Sequence, residues 1–103
     1  MEIKVFWTKT ALNNLEDIFE YYKFEASIGV ARKIVKRLVK STLKLQESPQ
    51  IGKKEALLTD RHYDYRFLVV GKYKIIYWLG KKHINIATVF DCRQDPEKIM
   101  TLK

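Results

Sequence analysis

The chain has 103 residues, 47% of them hydrophobic, and carries 20 Lys and Arg against 12 Asp and Glu, for a formal charge of +8. This length suits one small domain over residues 1–103, and the lone cysteine, Cys92, excludes an intramolecular disulfide, so the core must hold the fold unaided. The charge favours anionic partners, no apolar run approaches the roughly 20 residues of a membrane span, and the opening MEIKVFWTK lacks the pattern of a secretory signal.

Ile3, Val5 and Trp7 alternate with Glu2, Lys4 and Phe6, which predicts a strand over 2–7. Thr8 is placed to cap the helix that follows, without the Glu or Gln three residues on that would complete a capping box. From 9 to 26 the period lengthens. Leu12, Leu15, Phe19 and Tyr22, with Ile18 beside them, mark the stripe of an amphipathic helix, and Glu16, Asp17 and Glu20 give it an acidic patch. Ser27-Ile28-Gly29 reads as a break. A second helix follows over 30–47, its stripe formed by Ala31, Ile34, Leu38, Thr42 and Leu45 and widened by Val35. Arg32, Lys33, Lys36, Arg37, Lys40 and Lys44 crowd its remaining surface. Leu15, Ile18, Phe19, Ile34, Leu38 and Leu45 are expected to pack on a sheet.

Pro49 and Gly52 end the helical pattern, and Ala56-Leu57-Leu58 reads as a short edge strand. Three stronger strands are predicted at 64–70, 73–79 and 83–90. Gly71-Lys72 and Gly80-Lys81-Lys82 join them too tightly for anything but antiparallel pairing. The middle strand is apolar at almost every position, so it is expected at the centre with material on both faces. Asp95-Pro96 opens a short helical turn to 101. The order β-α-α-β-β-β-β predicts an α+β domain, a helical hairpin packed on a mainly antiparallel sheet.

The chain has no glycine-rich phosphate loop, and His62, His83 and Cys92 lack the spacing of a metal site, so no metal or other cofactor is expected. Two polar groupings stand out. One is Lys53, Lys54, Arg61, Arg66, Lys72 and Lys74; the other is Asp91, Arg93, Gln94 and Asp95 at the end of the last strand. Arg66 and Lys74 fall on adjacent strands and are expected to share a sheet face, with Arg93 nearby and Asp91 as a partner for Arg66. Such a surface suits a phosphate backbone or an incoming carboxylate. Tyr63, Tyr65, Tyr73 and Tyr77 offer stacking groups. Cleavage of a phosphodiester also needs a proton acceptor and a proton donor, which a basic patch does not supply.

Over roughly residues 2–100 the chain resembles the RelE/ParE superfamily of toxins from type II toxin–antitoxin systems. The resemblance is carried by Trp7-Thr8-Lys9-Thr10-Ala11-Leu12-Asn13-Asn14-Leu15-Glu16-Asp17-Ile18, by Leu45, Pro49 and Gly52, by Tyr65 to Tyr77, by Ile84 and Ile86, and by Val89 to Pro96. It implies a cytoplasmic toxin of the kind used in plasmid stabilization, neutralised by a cognate antitoxin that wraps it with a helix or an extended segment. Two activities divide the superfamily: RelE-like members cut messenger RNA in the ribosomal A site, and ParE-like members poison DNA gyrase. The cleaving type uses sheet cations, matched here by Arg66, Lys74 and Arg93, and a tyrosine or histidine in the C-terminal segment. The matching stretch here is Glu97-Lys98-Ile99-Met100, where only Glu97 offers an acid or base. That departure moves the reading toward the ParE-like branch, with Lys53, Lys54, Arg61, Arg66, Lys74 and Arg93 as residues that bind target or antitoxin. The RelE-like messenger RNA endonuclease is the alternative.

Overall fold

A computed structural model describes residues 3–102, so Glu2, where the alternating pattern begins, lies outside the described part. The elements are β1 (Lys4–Trp7), α1 (Lys9–Glu25), α2 (Ile28–Leu43), β2 (Lys53–Lys54), β3 (Tyr65–Val70), β4 (Tyr73–Leu79) and β5 (His83–Asp91). Short 3-10 turns occupy Lys44–Gln46, Ala56–Leu58 and Pro96–Thr101. The sheet runs β1-β5-β4-β3-β2, which places β4 in the middle, as its continuous apolar run requires. Every pairing is antiparallel except that of β1 with β5. The helical hairpin carries the chain from β1 to the far side of the sheet and covers one face of it.

Thr8 fixes the start of α1 twice over. Its hydroxyl accepts from the Ala11 amide and donates to the Ile86 carbonyl at 2.8 Å, so one side chain caps the helix and ties it to β5. Further along α1, the Asn14 side-chain oxygen accepts from the Val89 amide and the Thr88 hydroxyl. These bonds sit beside a bulge in β5, where Thr88 opposes Ile76 and Ile86 opposes Tyr77, leaving Ala87 as the extra residue.

The clamp sets the rotation of α1. Ala11, Leu15 and Ile18 are buried and Tyr22 packs beside them, whereas Leu12 is 52% exposed and Phe19 half-buried. The buried stripe thus starts at Ala11 rather than Leu12, because the small alanine lets the helix approach the strand that Thr8 and Asn14 hold. In α2 the expected stripe is in place: Ala31, Leu38 and Thr42 are buried, with Ile34 and Val35 at its margin; the helix ends at Leu43 rather than 47, and Leu45 is buried in the 3-10 turn that follows. The helix begins earlier than the glycine suggested. Ser27 is its cap, accepting from the Val30 amide at 3.1 Å, and Gly29 lies in the first turn.

Ala56-Leu57-Leu58 is a 3-10 turn, not a strand; the edge strand is Lys53–Lys54, paired with Phe67 and Arg66. The cause is Glu55, whose carboxylate accepts from the Leu57 amide and so bends the chain out of extension. The β3–β4 loop has two residues, Gly71 and Lys72, with positive φ at Gly71 alone, the II′ arrangement that matches the strand twist. Gly52 is required for a different reason. A Cβ there would lie 2.6 Å from the Tyr77 hydroxyl and 2.7 Å from the Phe67 carbonyl.

Candidate interaction face and basic corner

Alternation along the strands assigns each side chain to a face. Leu68, Val70, Tyr73, Ile75, Tyr77, Ile84, Ile86 and Val89 point toward the helices and form the main core with them. Tyr65, Phe67, Val69, Lys74, Ile76, Trp78, Asn85 and Phe90 point the other way. The middle of that second face is closed by the Ala56–Leu58 and Pro96–Thr101 turns, through Leu58 and Ile99 packed on Tyr65, Ile76 and Ala87. Both ends of the face stay open. Toward the β3–β4 turn lies the row Val69, Lys74 and Phe90, with Val69 63% exposed. Toward the β4–β5 turn lies the row Trp78, Asn85 and Phe6, continued on β3 by the buried Tyr65.

This register separates the cations expected to act together. Arg66 is opposite Tyr77 and Lys74 opposite Val69, so the two side chains project from opposite faces. Arg66 is bound at home. Its guanidinium donates to the carbonyls of Gln50 and Gly52 and pairs with Asp64 at 3.2 Å, not with Asp91. Lys74 lies 2.9 Å from Glu55, which is only 3% exposed, and 4.2 Å above the Phe67 ring. Removing that ammonium leaves a buried carboxylate unpaired, a change that typically costs about 3–5 kcal/mol. Arg61 donates to the carbonyls of Met100 and Leu102 and fastens the C-terminal turn to the 56–58 turn. Lys53 and Lys54 are exposed on the edge strand. Glu97 is exposed in the C-terminal turn, where its amide donates to Asp95. Cys92 is a free, exposed thiol.

Arg93 belongs to another corner. It forms an ion pair with Asp91 at 2.7 Å, and the two border a cleft of about 280 Å³ between α1 and the end of β5, with Asn14, Asp17, Tyr21 and Tyr73 around it. Asp91 pairs with Tyr73 across the sheet and Arg66 with Tyr77, four residues away along β4. Strand geometry therefore puts Arg66 and Asp91 roughly 16 Å apart. On the other side of Tyr73, a pocket of about 180 Å³ is bordered by Tyr22, Arg37, Gly71 and Lys72.

Around Tyr73 the protonation states follow from the contacts. Burial and the bond to Tyr22 push the Tyr73 hydroxyl well up, so it stays a donor, and Tyr22 accepts from it at 3.4 Å. That bond, with the Lys72 ammonium beside the ring, brings the Tyr22 hydroxyl down. Arg37, Lys72, Arg93 and three tyrosines thus make a basic, aromatic corner. Neither periodicity nor spacing indicated it, because its members come from α1, α2 and two strand ends. Lys72, Tyr73 and Arg93 stand out singly in the sequence, in separate groupings, but not their meeting with Arg37, Tyr21 and Tyr22.

The hydrogen bonds from Arg93 hold the Asp91 carboxyl below its ordinary value of 3.8. A carboxyl depressed in the folded state contributes stability that is complete above the unfolded value and lost as pH falls through the folded one. The 91–93 turn is thus expected to hold at neutral pH and loosen only in acid below the ordinary aspartate range. In Arg93→Ala the Asp91 titration, followed by carboxyl NMR, is expected to move upward. An unchanged titration would show that the ion pair does not set it.

Among the described residues, no helix is long and apolar enough to cross a membrane, and no group of three or more His, Cys, Asp or Glu is placed to hold a metal. A helical hairpin inserted between the first two strands of a mixed five-stranded sheet, with one sheet face left partly open, defines the RelE/ParE class of α+β domain. Within that class, residues 5–96 match the family described as ParE toxin of type II toxin-antitoxin system, parDE. The match spans most of the chain, and the protein belongs to the ParE toxin family. A solved structure described as the chromosomal ParDE TA system from P. aeruginosa shares the fold, with a TM-score of 0.74 and 20% identity over 87% of this chain and 96% of that one. No curated protein matches the chain.

Proposed function

We propose that this ParE-family toxin acts in the cytoplasm as a single domain that binds DNA gyrase, stalls its cleaved-DNA state, and is neutralised by a cognate antitoxin. It acts by binding, not by cutting. The observation that carries this reading over ribosome-dependent messenger RNA cleavage is the dispersal of the sheet cations. Arg66 and Lys74 project from opposite faces, Arg93 stands at a distant corner, and the segment 97–100 brings no tyrosine or histidine. An RNA-cleaving centre needs donors converging on one phosphate and a group to move a proton. Here Lys74 and Arg61 are already committed to internal partners. Of the six cations expected to bind target or antitoxin, Lys53, Lys54 and Arg93 are the exposed ones, while Arg61, Arg66 and Lys74 hold neighbouring segments in place.

The test is purified toxin added to gyrase and relaxed plasmid. Loss of supercoiling, or accumulation of cleaved DNA, is the expected result, and addition of the antitoxin should reverse it. Folded toxin in excess over gyrase that changes neither would overturn the reading. Codon-phased cuts on programmed ribosomes would replace it with the RelE-like one.

A further inference from the structure

The β4–β5 end of the open face carries a feature that the toxin reading leaves unused. Tyr63 and Trp78 stack with ring centroids 3.8 Å apart and planes inclined by 14°. His62 meets Tyr63 edge-on at 5.0 Å. Gly80 comes close to the rim of the indole, where a Cβ would lie 3.3 Å from Trp78 Cζ3. The stack with Trp78 and the edge contacts with His62 and Tyr65 make Tyr63 part of an aromatic platform, and it stays 43% exposed. Beside it runs an open groove bordered by Lys81, Lys82, His83 and Asn85, with no carboxylate among the described residues of its lining. Lys4, exposed on β1, is in register with His83 and adds a further cation. The Asn85 amide makes only a long 3.4 Å contact to the His83 carbonyl among the described residues, which leaves its carboxamide for a ligand.

We propose that this groove binds single-stranded nucleic acid. An unpaired base stacks on the Tyr63–Trp78 platform, Lys81, Lys82 and Lys4 meet the flanking phosphates, and Asn85 reaches the base edge. Each component answers one part of that ligand. Aromatic faces attract bases of any sequence, lysines follow a backbone without fixing register, and an amide both donates and accepts. A duplex offers its backbone but keeps its base faces stacked, so it can use only the lysines. An acidic peptide meets the charge but leaves the aromatic platform unmatched. The site is separate from the Arg93 corner and requires neither gyrase nor antitoxin.

The experiment measures fluorescence anisotropy of short labelled oligothymidine and oligouridine strands, and of a matching duplex, with the intact toxin alone at low salt. Single strands are expected to bind more tightly than duplex. Tyr63→Leu is expected to weaken binding by about tenfold or more, and Tyr63→Phe, which keeps the ring, to stay within about twofold of the parent. In the Lys81→Ala/Lys82→Ala double variant the slope of log affinity against log salt should shrink by about 1.4, two phosphate contacts' worth. The Lys33→Ala/Lys36→Ala pair on α2 should leave that slope unchanged. Duplex binding as tight as single-strand binding, equal affinity for Tyr63→Leu and parent, or an equal slope change from the α2 pair would each overturn the proposal. Photocross-linking of a bromo-substituted oligonucleotide to the unmodified toxin gives a readout free of any folding defect. Cross-links at Tyr63 or Trp78 support the site, and cross-links confined elsewhere overturn it. Gyrase is absent from these assays, so their failure leaves the gyrase reading standing, and the reverse also holds.

Discussion

Tyr77→Ala is expected to destabilise the toxin by about 3–5 kcal/mol, the range for truncating a fully enclosed aromatic ring. Tyr77 is 0% exposed on the central strand, and its ring fills the core between sheet and helices. Its hydroxyl adds a second role. It donates to the Pro49 carbonyl at 2.8 Å and accepts from the Gly52 amide at 2.9 Å, so one side chain pins the segment that leads from α2 to β2. Burial raises the hydroxyl pKa, which keeps it a donor across the working range. The two roles separate in Tyr77→Phe. That variant keeps the ring and leaves the Gly52 amide and Pro49 carbonyl without their partner, at about 1–3 kcal/mol if water cannot reach them. Urea unfolding of the three proteins checks the sequence of values. A Tyr77→Phe variant as stable as the parent would mean that the 49–52 segment needs no pin.

The same residues show what the sequence disclosed and what it withheld. Pro49 and Gly52 marked the end of the helical pattern, but only the structure shows that Gly52 is glycine because the Tyr77 hydroxyl and the Phe67 carbonyl leave no space for a Cβ. The central place of β4 was legible, since a strand apolar on both faces must be covered on both. The phase of α1 was not. Leu12 is more apolar than Ala11, and only the contacts of Thr8 and Asn14 with β5 decide that alanine faces inward. Edge strands are hard to read for a related reason: Ala56-Leu57-Leu58 has strand-like composition, yet the local bond from Glu55 to the Leu57 amide bends it into a turn.

The cations were harder still. Adjacency of two predicted strands brings Arg66 and Lys74 near one another but does not fix register, and a one-residue difference in register exchanges faces. The observed pairing sets Arg66 beside Tyr77 and Lys74 beside Val69, and that alone dissolves the expected cluster. The acidic partners were equally hidden. Glu55 lies nineteen positions from Lys74 in the chain, and no local pattern announces that a buried carboxylate awaits it.

For the antitoxin complex, the largest expected effect is on the rate of association. The toxin carries +8, and the exposed lysines of α2 and of the Lys53–Lys54 edge leave much of that charge on its surface. An acidic segment approaching such a surface is steered, and steering raises association rates by about 10–1,000-fold at low salt. Raising salt to about 0.5 M shortens the screening length to roughly 4 Å and should remove most of that gain. Dissociation should respond to different residues. Val69 is 63% exposed between Lys74 and the strand edge, with Phe67 and Phe90 half-buried beside it, an apolar surface that screening does not weaken. Burial there contributes about 25 cal/mol per Å² before ordering costs are subtracted. The two contributions can be separated in stopped-flow and dissociation measurements. Lys53→Glu/Lys54→Glu should slow association and leave dissociation nearly unchanged, whereas Val69→Asp should speed dissociation by about tenfold with little change in association. Added salt should reproduce the first pattern. If moderate salt instead releases the antitoxin completely, charge alone holds the complex, and the open apolar row around Val69 is not where the antitoxin lies.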